Sequence, residues 1–282
     1  MSEMTALEKS AKKDVWGMVI TVLLYAIGAV SVPYIQFAKW LSLGKDFELL
    51  FGFLSKTLCS ILPIYLIFQF GFGDLFKLGK DKIRAFIFTV PAFLIMLNNL
   101  PILPVMSGDM SINAQFLRVI TYLLYCLSIG VLEETIFRGC ILPLLLYKFS
   151  KDKKGVFWAV VISSAIFGGM HLLNLLGGFS PMVFLQVGYA FLIGAVCGYT
   201  LVASGNIYLP ILFHALFDVG GLLLSEGLAV GTLWTTINVV WTAISSVVLG
   251  LAIIIIFLKK DFSHQLSRLN LDRVIIEKGD NK

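Results

Sequence analysis

Charge is what this sequence has least of. Only 14% of its 282 residues are Asp, Glu, Lys or Arg, against 58% hydrophobic, and the mean hydropathy is +0.91. That balance excludes an ordinary soluble domain, whose apolar share is nearer half. Cysteine is scarce as well. Cys59, Cys126, Cys140 and Cys197 fall within or beside apolar runs at scattered spacings, which excludes a disulfide framework and a zinc knuckle and leaves them as small packing residues. The short H-E-x-x-H zinc motif is absent. So are long polar linkers, low-complexity tracts and internal repeats, so residues 1–282 read as one membrane domain. The first apolar run is longer than a signal-peptide core and shows no small-residue cleavage site, so it is expected to be a retained span.

What the chain does have is a series of apolar runs, each long enough to cross a hydrocarbon core of about 30 Å, which takes roughly 20 helical residues. Eight are expected: Val15 to Ala38, Leu49 to Phe72, Ile83 to Val105, Phe116 to Leu132, Val156 to Leu176, Met182 to Ala203, Ile207 to Leu224 and Leu233 to Leu258. The fold class is therefore all-α, a polytopic membrane bundle of about eight transmembrane helices. The fourth run is read as continuing in a bent helix toward Tyr147.

Basic residues alternate along this series. Lys9, Lys12 and Lys13 precede the first run, Lys77, Lys80, Lys82 and Arg84 follow the second, Lys148, Lys151, Lys153 and Lys154 follow the fourth, and Lys259, Lys260, Arg268, Arg273 and Lys278 follow the last. The opposite loops carry Lys39 and Lys45 offset by Asp46 and Glu48, then Asp109, then the neutral stretch Asn174 to Pro181, then Glu226. Positive loops face the cytoplasm, so both termini are expected there, in a multi-pass protein of a bacterial cell membrane. The net charge of +5 is explained by this bias and by attraction to anionic membrane lipids, and calls for no nucleic acid. In the tail 261–282, Phe262, Leu266, Leu269 and Val274 fit at most a short amphipathic helix at the membrane surface.

Polar groups inside the runs are few enough to weigh singly. Glu133 and Glu134 end one run, His171 lies in another, and His214 and Asp218 share a third. An ionisable side chain in the hydrocarbon core costs from about 2.5 kcal/mol upward and usually marks a pathway or a reaction site. Helical spacing pairs some of them. Arg138 is four residues from Glu134, which fits an internal ion pair, and Asp218 is four from His214, which lets the carboxylate orient the imidazole. Glu133 lies about 100° around the helix from Glu134, free to face a shared cavity as a general base. Gly168 and Gly169 make room before His171. Pro143 clashes with the carbonyl four residues back, so a kink or break is expected after the Glu-Glu motif, bringing Ile141 to Lys148 near the cytoplasmic surface. Asn98 and Asn99, ahead of Pro101 and Pro104, mark a second irregular stretch that satisfies its own backbone. Each feature has a plainer reading as packing or as a structural ion pair; the constellation is harder to reduce that way.

The ordered set Glu133-Glu134-x-x-Phe137-Arg138-Gly139, Phe167-x-x-x-His171 and His214-x-x-x-Asp218 resembles the motifs of the CAAX protease and bacteriocin-processing (CPBP, or Abi) family of intramembrane endopeptidases. The resemblance covers about residues 116–224, the expected catalytic core. It implies hydrolysis of a membrane-associated or lipidated peptide or protein, as in CAAX-type proteolysis, bacteriocin immunity or peptide processing. It also implies that Glu133 activates the attacking water with the help of His171, that His214 and residue 218 steady the oxyanion, and that Glu134 and Arg138 shape the site. Asn often ends the last motif where this chain has Asp218. An ionised Asp cannot donate to an oxyanion, so Asp218 is either protonated or an orienter of His214. No cofactor is assigned; zinc remains an option, with Glu133, His171, His214 and Asp218 as its candidate ligands. The alternative function is a non-proteolytic membrane scaffold or regulator of a membrane signalling protein.

Overall fold

The computed structural model describes residues 15–42, 44–78, 82–150 and 152–267. The expectations that fall on Lys9, Lys12, Lys13, Lys80, Lys151, Arg268, Leu269, Arg273, Val274 and Lys278 lie outside the described residues. Six helical segments are long and apolar enough to cross a membrane: Val15–Trp40, Lys45–Gln69, Phe116–Phe149, Lys153–Gly177, Met182–Ser204 and Thr236–Lys259. Two shorter apolar helices, Ala85–Leu97 and Tyr208–Gly221, complete the bundle. The chain is thus a multi-pass membrane protein built almost wholly of helix. Among the described residues the exception is a two-stranded antiparallel ladder, Met110–Ile112 against Ala229–Gly231, with Met110 opposite Gly231 and Ile112 opposite Ala229.

The third and seventh runs are shorter as helices than the apolar stretches that contain them. Helix Lys82–Leu97 stops at Asn98, and after a turn a separate five-residue helix, Ile102–Met106, begins behind Pro101. Asn99 does not merely satisfy its own backbone: its Nδ2 donates to the Phe217 carbonyl at 2.6 Å. The contact is close because Gly220 lies against the Asn99 carbonyl, where a Cβ would come within 1.9 Å. Helix Tyr208–Gly221 starts just after Gly205, whose φ of +64° ends the preceding helix.

Proline inside a helix frees a carbonyl one turn back, and the fold uses it. Pro63 leaves the Cys59 carbonyl without its helical N–H donor, and the Tyr25 hydroxyl donates to that carbonyl from a neighbouring helix.

Pro143 produces no break. The strain is taken up by a π-helical turn, Thr135–Ile141, between helix Phe116–Glu134 and helix Leu142–Phe149, where Pro143 sits in the first turn and needs no N–H partner. Ile141, Leu142, Leu144, Leu145 and Leu146 of that segment are core residues at 0–2% exposure, packed against the other helices. Apolar side chains at these positions gain more from the bundle interior than from an interface. Phe262 and Leu266 are likewise buried in that core, with the Phe262 ring beside Phe257 and Tyr199.

Two helices come together by glycine. A Cβ at Gly130 would lie 2.8 Å from the Ile211 carbonyl and 3.2 Å from the Ala215 nitrogen, so helix Phe116–Glu134 meets helix Tyr208–Gly221 backbone to backbone, as small residues allow in membranes. Gly130→Val should therefore force these helices apart at about 1–3 kcal/mol, the usual cost of overpacking. A lowered apparent melting temperature in detergent, beside an unchanged Gly28→Val control at a position with open space, checks this.

Candidate active site

That contact sets Glu133 and Glu134 opposite His214. The Nδ1 of His214 lies 2.6 Å from Glu134 Oε1. The same oxygen accepts from Arg138 Nη1 at 3.0 Å, and Arg138 Nη2 donates to the Gly194 carbonyl at 2.8 Å. Both the Arg138 and Glu134 side chains have no exposure at all. The guanidinium also lies over an aromatic ring, 4.6 Å from the Phe167 centroid. A buried ion pair survives desolvation only with good geometry and further hydrogen bonds, and here His214 and Gly194 supply them.

The other nitrogen of His214 faces a second pair of acids. Nε2 is 3.6 Å from Glu133 Oε2 and 3.7 Å from Asp218 Oδ2. Those separations are longer than direct hydrogen bonds. Glu133 and Asp218 side chains keep 20% and 16% exposure, so this side of the imidazole opens outward while the Glu134 side is sealed. Asp218 Oδ2 is buried and has no hydrogen-bond partner.

The expected i,i+4 pair of His214 and Asp218 is therefore present but does not set the tautomer; Glu134, from another helix, holds Nδ1. His171 caps helix Lys153–Met170 and opens a 3₁₀ segment, His171–Gly177, with Nδ1 3.2 Å from its own Phe167 carbonyl. The Phe167 ring stands between the two histidines, edge-on to His171 at 5.4 Å and to His214 at 5.7 Å. Gly168 and Gly169 divide the task assigned to them. A Cβ at Gly168 would strike the Val187 carbonyl at 2.8 Å, whereas Gly169 faces open space.

The helix that carries His214 and Asp218 is tied down at its end by residues that helical spacing alone does not reveal. Asn99 holds the Phe217 carbonyl, and the Tyr122 hydroxyl donates to the Val219 carbonyl at 2.8 Å and the Asp218 carbonyl at 3.2 Å. Both act across helices, so the only sequence signal is a polar group within an apolar run.

Cys197, also expected as simple packing, lies fully buried beside Glu134 and His214. Among the described residues these three form the one set of possible metal ligands, with donor atoms within 4.8 Å of one another. Glu133, His171 and Asp218 do not join it. The set fits a cation poorly: Glu134 Oε1 already faces two donors, and the Arg138 guanidinium sits within hydrogen-bond distance as a fixed positive charge. The arrangement is suited instead to holding an imidazole in one orientation between a sealed carboxylate and two accessible ones.

The family model described as type II CAAX prenyl endopeptidase, Rce1-like, matches residues 115–220, less than half of the chain. That segment holds the Glu133-Glu134 motif, His171 and the His214–Asp218 pair. No curated protein and no solved structure matches the chain.

Proposed function

Because residues 115–220 form a Rce1-like type II CAAX prenyl endopeptidase domain, we propose that this protein is an intramembrane endopeptidase that hydrolyses a membrane-associated or lipidated peptide. The observation that carries the reading is His214 held by buried Glu134 on one nitrogen while its other nitrogen opens toward Glu133 and Asp218. Glu133, the partly exposed glutamate, takes a proton from water as general base, and His171, across the Phe167 ring, assists. The hydroxide adds to the scissile carbonyl. With Nδ1–H spent on Glu134, an imidazolium at His214 presents Nε2–H to the oxyanion, a fixed donor of the kind worth several kcal/mol. Asp218 contributes a donor there only as the neutral acid. Collapse of the tetrahedral intermediate breaks the C–N bond, and the proton held by Glu133 passes to the leaving amine. Glu134 and Arg138 hold His214 and touch no substrate. The alternating basic loops support placing both termini in the cytoplasm of a bacterial cell, with cleavage near that side.

The test is cleavage of prenylated and other membrane-anchored peptides by the purified protein, read by mass spectrometry for wild type, Glu133→Ala and His171→Ala, with and without a chelator. Wild type is expected to release a defined fragment and both variants to lose it. Cleavage surviving both substitutions overturns the site. Loss on chelation with rescue by zinc overturns the metal-free mechanism, and a partner that co-purifies with a wild type that cleaves nothing favours a scaffold.

A further inference from the structure

Lys153 and Lys154 open helix Lys153–Met170, at the end where the helix dipole disfavours cations. They do nothing for the helix they begin. What they meet is the far end of the last span: Lys153 Nζ donates to the Leu258 carbonyl at 3.2 Å, which brings Lys259 alongside. All three lysines are exposed. The acids beside them serve as caps, Asp152 Oδ1 accepting from the Gly155 N–H at 2.7 Å and Asp261 accepting from the N–H and the hydroxyl of Ser263, both at 3.0 Å. Asp261 is also close enough to Lys153 to offset its charge. Lys154 and Lys259 are left without an ion pair among the described residues.

One helical turn further along, about 6 Å toward the membrane interior, the surface turns apolar. Phe157 and Trp158 stand four residues after Lys153 and Lys154, at 47% and 56% exposure, and the Phe157 ring meets Phe257 of the last span at 6.3 Å. Ammonium groups one turn above exposed rings match the two parts of an anionic phospholipid, its phosphate and the start of its acyl chains. An acidic soluble protein would meet the lysines but could not reach rings within the spans. We propose that the junction between the start of helix Lys153–Met170 and the end of helix Thr236–Lys259 binds one anionic phospholipid, with its phosphate on the lysines and an acyl chain against Phe157, Trp158 and Phe257. Asn238, at the opposite end of the last helix, is that helix's one buried residue, so a lipid bridging the two helices adds to what holds this end in place. The lipid is a component of the fold and not a substrate, so the site stands whether or not the protein cleaves a peptide.

Native mass spectrometry of the full-length protein in a neutral detergent counts the lipid it retains when phosphatidylglycerol and phosphatidylcholine are titrated in together. The wild type should retain one phosphatidylglycerol in preference to phosphatidylcholine by roughly 25-fold, about a factor of five for each of the two unpaired lysines at an anionic headgroup. Lys154→Gln with Lys259→Gln should erase that preference. Phosphatidylcholine binding and the melting temperature in phosphatidylcholine should stay as in wild type, which shows that the variant is folded. Lys77→Gln with Lys148→Gln, an equal loss of charge from other basic loops, should keep the preference. An equal loss in both double variants would make it a matter of net charge and overturn the site. A preference that survives Lys154→Gln with Lys259→Gln overturns it too, as does a wild type that does not distinguish the two lipids. Displacement of the lipid by excess inorganic phosphate overturns a phospholipid as the occupant.

Discussion

Arg138→Met should lower stability by about 3–5 kcal/mol, the cost of removing one partner of a buried ion pair. The estimate needs no discount for solvent, because neither side chain of the pair is exposed. Met fills much of the volume but leaves the Glu134 carboxylate with His214 as its one hydrogen-bond donor, and takes from the Gly194 carbonyl the donor it receives from Arg138. Because most of the loss comes from the stranded charge, Glu134→Gln added to Arg138→Met should recover part of it. Thermal unfolding of the two single variants and the double in one detergent checks this. Losses that simply add would show that Arg138 and Glu134 are not coupled, against the 3.0 Å contact.

His214→Ala should act on turnover instead. Removing one preorganised oxyanion donor costs about 10²–10³ in kcat, and His214 is the residue whose open nitrogen faces both Glu133 and Asp218. KM for a cleaved peptide should change little, since the donor's bond strengthens only as negative charge develops on the oxygen. The Arg138–Glu134 bond remains in this variant, so its melting temperature should fall far less than that of Arg138→Met. A variant with kcat near wild type, or a loss confined to KM, would remove His214 from the reaction.

These two expectations separate because the residues were legible to different degrees. The Glu134–Arg138 pair follows from four-residue spacing on one helix, and the structure forms it. The same rule applied to His214 and Asp218 brings them within 3.7 Å, but it cannot reveal that Glu134, eighty positions away, lies nearer to the imidazole at 2.6 Å. That contact depends on Gly130 letting two helices touch, a packing event with no local signature beyond a glycine in an apolar run. Pro143 illustrates the converse. Its local rule, a clash one turn back, was sound, yet a π-helical turn absorbs the clash and keeps the segment in the core.

By itself the sequence determined the solvent in which this protein works, the approximate number of its spans and the identity of its candidate catalytic groups. Each of those rests on composition or on a periodicity that any helix obeys. Tertiary structure alone decided which nitrogen of His214 is sealed and which is open, and which glutamate is buried. Those depend on the facing of helices far apart in sequence, and close packing at a few small residues sets that facing.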